Sequence, residues 1–152
     1  MRHVLGLLAL VLVLMAPVSG ARADERHRTL VLVSGTAGGI EKLSNDEVLF
    51  LFMDAPVVKG GVRLQPVLNE TDPLLREVFL QKVMFMSWRH YQRRLVSQAF
   101  SHGWARPETV SNLSALVHKL KTESGTVTYM WKKTAEEQNV KIVQVLWSGY
   151  VN

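Results

Sequence analysis

The chain has no cysteine among its 152 residues. That excludes a disulfide framework, thiolate metal sites, a cysteine nucleophile and lipid attachment through cysteine. Charge is sparse and nearly balanced: 20 % of residues are charged and the formal net charge is +5. So small an excess does not mark a nucleic-acid binder. Five prolines and ten glycines leave no low-complexity linker, and the chain has no internal repeat. His27, His90, His102 and His118 have no i,i+4 pairing and no nearby second ligand, so no metal site is expected. No G-x-S-x-G elbow is present, and no cofactor fingerprint, so neither catalytic residues nor a cofactor are expected. With 47 % hydrophobic residues, what remains is an ordinary globular domain that lives on its apolar core.

The amino terminus has its own pattern. Arg2 and His3 precede Val4–Met15, an unbroken run of Val, Leu, Gly, Ala and Met. Pro17 then breaks the run, and Ala21-Arg22-Ala23 places small residues at the −3 and −1 positions of a cleavage site. This layout predicts a secretory signal peptide over residues 1–23, cut before Asp24, and a periplasmic domain over residues 24–152. As a helix the run would span about 18 Å, short of a roughly 30 Å hydrocarbon core. Losing Arg2 and Arg22 lowers the charge from +5 to +3.

Along the rest of the chain, Thr29–Ser34 reads as a strand buried on both faces. Ser44 and Glu47 form a capping box for a helix that ends before Pro56. Lys59-Gly60-Gly61 is a turn, and Val62–Leu68 a second strand in which Pro66 implies an edge or strand-end position. Thr71 or Asp72 caps the next helix, with Pro73 at its first position. Its stripe is Leu75, Val78, Phe79, Val83 and Met86. A third helix carries Trp88, Tyr91, Leu95 and Ala99, and Phe100–Pro107 is a loop. Val110, Leu113, Leu116 or Val117, and Leu120 mark a fourth helix, with Ser111 or Thr109 near its start. Thr126–Trp131 and Val140–Trp147 are strands, with a short helix at Thr134–Asn139 between them. Strands alternating with helices predict an α/β domain with a mostly parallel sheet flanked by helices. Phe52, Val78, Phe79, Leu95, Leu113 and Val117 are expected in its core.

Several of these pieces, in this order, resemble the phosphate ABC transporter substrate-binding protein family in its short, periplasmic-binding-protein-like form. They are Leu43-Ser44-Asn45-Asp46-Glu47-Val48 with Phe50–Met53, the Val62–Val67 strand ending in Pro66-Val67, Asp72–Phe79, and Gly125–Tyr129. The resemblance spans roughly residues 29–147. It implies a single periplasmic-binding-protein-like lobe that binds a small oxyanion and partners a membrane transporter or sensor, with no nucleic acid involved.

The resemblance also implies where the ligand would sit. The family's transport members carry an Arg-Ser-Asp-Gly-Ser-Gly-Thr stretch where strand meets helix, and here that stretch reads Asn69-Glu70-Thr71-Asp72-Pro73-Leu74-Leu75. Arginine is replaced by Asn69. Glu70 and Asp72 bring negative charge to a helix start that favours anions, and Pro73 lacks the N–H it would donate. Ser34-Gly35-Thr36-Ala37-Gly38-Gly39 follows a strand and could wrap an anion with backbone amides, or serve as a glycine-dependent connection. If all strands share one direction, their carboxyl ends share one edge. A ligand site would then be lined by Ser34, Gly35 and Thr36 on one side and by Asn69 and Thr71 on the other. Two functions are open: oxyanion binding for an ABC-type uptake or sensing system, or a non-catalytic interaction module that has lost the phosphate site.

Overall fold

The computed structural model describes residues 26–35, 39–53 and 55–151; the leader expected over residues 1–23 lies outside them. In chain order the elements are β1 (His27–Ser34), α1 (Asn45–Phe52), β2 (Val58–Lys59), β3 (Val62–Arg63), β4 (Gln65–Asn69) and α2 (Pro73–Lys82). There follow α3 (Trp88–His102), β5 (Glu108–Val110), α4 (Leu113–Thr122), β6 (Thr126–Trp131), α5 (Lys132–Glu137) and β7 (Lys141–Tyr150).

Local chemistry explains most of the boundaries. The Ser44 hydroxyl accepts from Glu47 N at 3.1 Å while Ser44 N donates to the Glu47 carboxylate at 2.7 Å, closing the capping box of α1. Asp72 rather than Thr71 caps α2, with Pro73 at the first helical position. α3 runs to His102, past the loop expected from Phe100, and stops where Gly103 takes a φ of +65°. Asn112, not Ser111 or Thr109, caps α4.

The reason lies in a strand that periodicity did not reveal. Glu108–Val110 pairs in parallel with Val67–Asn69, and Glu70 N extends the ladder to Val110 O. The open edge of β4 draws in a segment whose own pattern reads as the approach to a helix. The expected strand Val62–Leu68 is likewise divided. Its first two residues fold back on Val58–Lys59 as a hairpin turned by Gly60 and Gly61, both at positive φ. Pro66 lies at the start of β4, before the pairing with β5 begins.

The main sheet has the order β5-β4-β6-β1-β7. β5, β4 and β6 are parallel, whereas β1 is antiparallel to both β6 and β7. Four of the five strands therefore point one way, and β1 alone opposes them. The sheet is mostly parallel, with its one reversed strand in the interior.

Alternation along the strands divides the core between the two faces of the sheet. On one face Leu30, Leu32, Val127, Tyr129 and Trp131 pack under α1, α2 and α3. On the other, Val31, Val33, Val67 and Met130 pack under α4 and α5. Helices on both sides of the sheet make an α/β lobe. Phe79 stacks on Tyr129 with ring centroids 3.8 Å apart, and Phe52 meets Phe79 edge-on at 4.8 Å. Of the expected core residues, Phe52, Val78, Phe79, Leu95 and Val117 are buried. Leu113 is only partly buried, at the rim of the second cluster.

Candidate functional site

The segment Asn69–Leu74, where β4 passes into α2, is a dense polar cluster built on the face of β6. Asn69 is fully buried. Its Nδ2 donates to the Tyr129 carbonyl at 2.9 Å, and its Oδ1 accepts from Thr71 N at 3.0 Å and Thr71 Oγ1 at 2.7 Å. The amide thus ties β4 to β6 and turns the chain toward the helix, an Asx-type turn. Tyr129 returns the link through its hydroxyl, which donates to the Asn69 carbonyl at 3.1 Å. Burial pushes the Tyr129 phenol well above its ordinary range, and the nearby charge of Glu70 pushes it further.

Asp72 occupies the position at the positive end of α2. Its Oδ1 accepts from Leu74 N at 2.9 Å, and its Oδ2 accepts from the Trp131 indole Nε1 at 2.8 Å. The indole is in turn covered by the Arg28 guanidinium, 5.3 Å from the ring centroid. Beside it, Glu70 pairs with Arg76 at 3.0 Å, and Arg76 lies 4.8 Å over the Trp88 ring. A helix start that would accept an external anion here holds an internal carboxylate, already bonded through both oxygens. Arg76 is neutralised by Glu70.

Among the described residues, the two sides of the expected site are not brought together. Asn69 and Thr71 are together, bonded to each other. Ser34 and Gly35 lie at the other end of the sheet, because β1 runs against β4 and β6. Ser34 is level with Val127, and Val127 with Pro66, so β1 ends where β4 begins. Three residues along the strand and two strand spacings separate Ser34 from Asn69 by roughly 14 Å. The shared edge assumed for the two segments fails on this reversal alone. Thr36 lies outside the described residues.

The glycine at position 35 has a packing reason. A Cβ there would come within 2.4 Å of the Leu120 carbonyl oxygen, at the end of α4. Gly35 N donates to Thr126 O at 3.1 Å, which leaves that amide bonded within the sheet. Two residues of the cluster escaped the sequence reading. Trp131 is the acceptor's partner on Asp72, and the signal for it was the alternation of Val127, Tyr129 and Trp131 onto one face. Arg76 reaches Glu70 across six positions, a spacing with no helical signature because Glu70 precedes the helix. Among the described residues no cluster of His, Asp or Glu could hold a metal ion. None of their helices is long and apolar enough to cross a membrane.

No family model matches the sequence, and no curated protein matches it significantly. Solved structures do resemble the fold. An ABC-type phosphate transport receptor from Vibrio cholerae superposes with a TM-score of 0.57 at 11 % identity, over 78 % of this chain and 46 % of the receptor. The chain has a phosphate-binding-protein-like fold. A possible phosphate binding protein from Planctomyces limnophilus DSM 3776 gives a TM-score of 0.54 at 17 % identity, over 78 % of this chain and 42 % of the other. The chain spans less than half the length of both. Both neighbours are binding proteins by description, and at these identities the likeness is one of fold.

Proposed function

We propose that this protein is an exported, non-catalytic module of the solute-binding type that has lost the phosphate site and works by contact with a membrane transporter or sensor. The observation that carries the reading is the Asp72 carboxylate, bonded to Leu74 N and the Trp131 indole at the start of α2. A phosphate dianion brought there would meet Asp72 and Glu70 at a few ångströms, where like charges cost several kcal/mol at intermediate dielectric. It would also find Asn69 and Thr71 already satisfied by each other.

The competing function is oxyanion binding for an ABC-type uptake or sensing system. What favours it is the description of the two structural neighbours, a phosphate transport receptor and a possible phosphate binding protein. Isothermal titration with phosphate separates the two. The interaction module shows no saturation below the millimolar range. Asp72→Ser in a Glu70→Gln background removes both carboxylates and frees the indole donor, and it should gain measurable phosphate affinity. A micromolar constant in the unaltered protein, lost in Thr71→Val, would overturn the reading and restore oxyanion uptake.

A further inference from the structure

A second feature lies away from the start of α2 and serves none of the roles above. Between the carboxyl end of α1, the turn joining α2 to α3, and the outer half of α3 is an open cavity of about 380 Å³. That volume falls at the small end of the range for pockets that hold organic ligands. Its wall is almost wholly apolar. Leu49 comes from α1 and Met53 from its carboxyl-terminal cap, and Met84 and Met86 come from the turn between α2 and α3. Thioether side chains adapt to irregular apolar ligands and suit a pocket of this kind.

One wall is different. α3 presents Arg94, Gln98 and His102 to the cavity, and their i, i+4, i+8 spacing puts the three on a single helical stripe. Arg94 makes no ion pair with any described residue, and no described carboxylate lines the cavity. The Gln98 Oε1 atom is shielded from water and finds no hydrogen-bond partner among the described residues, a costly state for a polar atom. The His102 ring is held in place by stacking on Trp104, with centroids 4.5 Å apart.

The backbone at the mouth is strained as well. Phe85, between the two lining methionines, has a φ of +53°, a conformation that bulky residues rarely adopt. The residue is 79 % exposed. Packing against the described core therefore does not explain that turn. Strain of this sort collects at ligand-binding positions.

We propose that this cavity binds a small amphipathic organic acid. The apolar body lies among Leu49, Met53, Met84 and Met86, the carboxylate pairs with Arg94, and the Gln98 amide, turned to present its Nε2, donates to the head group. Charge complementarity chooses the anion over a neutral or cationic ligand. The inference is independent of whether the start of α2 is closed to phosphate.

Octanoate is the probe, with 1-octanol as its neutral counterpart. In the protein labelled at its methionine methyl groups, octanoate should shift the NMR signals of Met53, Met84 and Met86 saturably. Met130, buried on the opposite face of the sheet, should not move. Arg94→Gln, on the exposed side of α3, should weaken octanoate about tenfold by removing a charge-assisted bond, and should leave 1-octanol unchanged. Octanoate that fails to saturate, shifts Met130 alike, or binds Arg94→Gln as well as the unaltered protein would overturn the proposal. A concentration-dependent dimer abolished by Phe85→Ser, with no octanoate binding, would overturn it in favour of a second copy of the chain.

Discussion

Replacing Asp72 by alanine removes two acceptors with one substitution, and each loss has a known scale. The Leu74 N–H loses its cap, which is worth about 1 kcal/mol at a helix amino terminus. The Trp131 Nε1–H also loses its acceptor. Trp131 is only 6 % exposed, so water does not readily take over, and a stranded buried donor costs about 1–3 kcal/mol. The combined loss is roughly 2–4 kcal/mol, a fall in Tm of about 8–16 °C for a domain of this size. Asp72→Ser divides the effect, because its hydroxyl still caps Leu74 while the indole alone is stranded. Serine should therefore recover about 1 kcal/mol relative to alanine. In a Trp131→Phe background there is no indole donor to strand, and Asp72→Ser should cost much less than it does alone. Thermal unfolding followed by circular dichroism measures the unaltered protein and the four variants. If Asp72→Ala melts within about 2 °C of the unaltered protein, the carboxylate is not holding the start of α2, and the case for a self-occupied anion position falls with it.

Phe79 is fully buried between Phe52 and Tyr129, so Phe79→Ala should cost on the order of 3–5 kcal/mol in urea unfolding; an unchanged midpoint would show that the aromatic stack contributes little. Glu47 gives a pH dependence whose sign is fixed. Its carboxyl is held below the usual range first by the Lys59 ammonium, 2.6 Å away, and then by the Ser44 N–H. A depressed folded value means the stabilisation is complete above the ordinary carboxylate value and is lost as pH falls through the lower folded one. Glu47→Gln, which can keep the capping box, should remove that part of the acid limb in a urea midpoint measured against pH; an acid limb identical to that of the unaltered protein refutes the assignment.

Features fixed by neighbours in sequence were legible. The capping box at Ser44 and Glu47, the proline at the first position of α2, and the helical stripe of Leu75, Val78 and Phe79 all depend on residues within one or two turns of each other. Buried strands were legible for the same reason, since the β-branched run of Thr29–Ser34 and the alternation of Thr126–Trp131 state which side chains must leave water. The short strand Glu108–Val110 was not legible. It becomes a strand because β4 offers it an edge, and an edge is a property of the assembled sheet.

The sequence by itself determined that this is an α/β lobe without disulfides, where its helices and its longer strands lie, and that the start of α2 carries carboxylates where an arginine and glycines would serve an anion. Tertiary structure decided the direction of β1. A hydrophobic run has a period but no polarity, so its burial is equally satisfied beside parallel or antiparallel partners. That one reversal carried Ser34 and Gly35 to the opposite end of the sheet from Asn69 and Thr71. Tertiary structure also decided what Asp72 bonds. The indole that donates to its second oxygen comes from a residue 59 positions away, and only the pairing of β4 with β6 brings the two within reach.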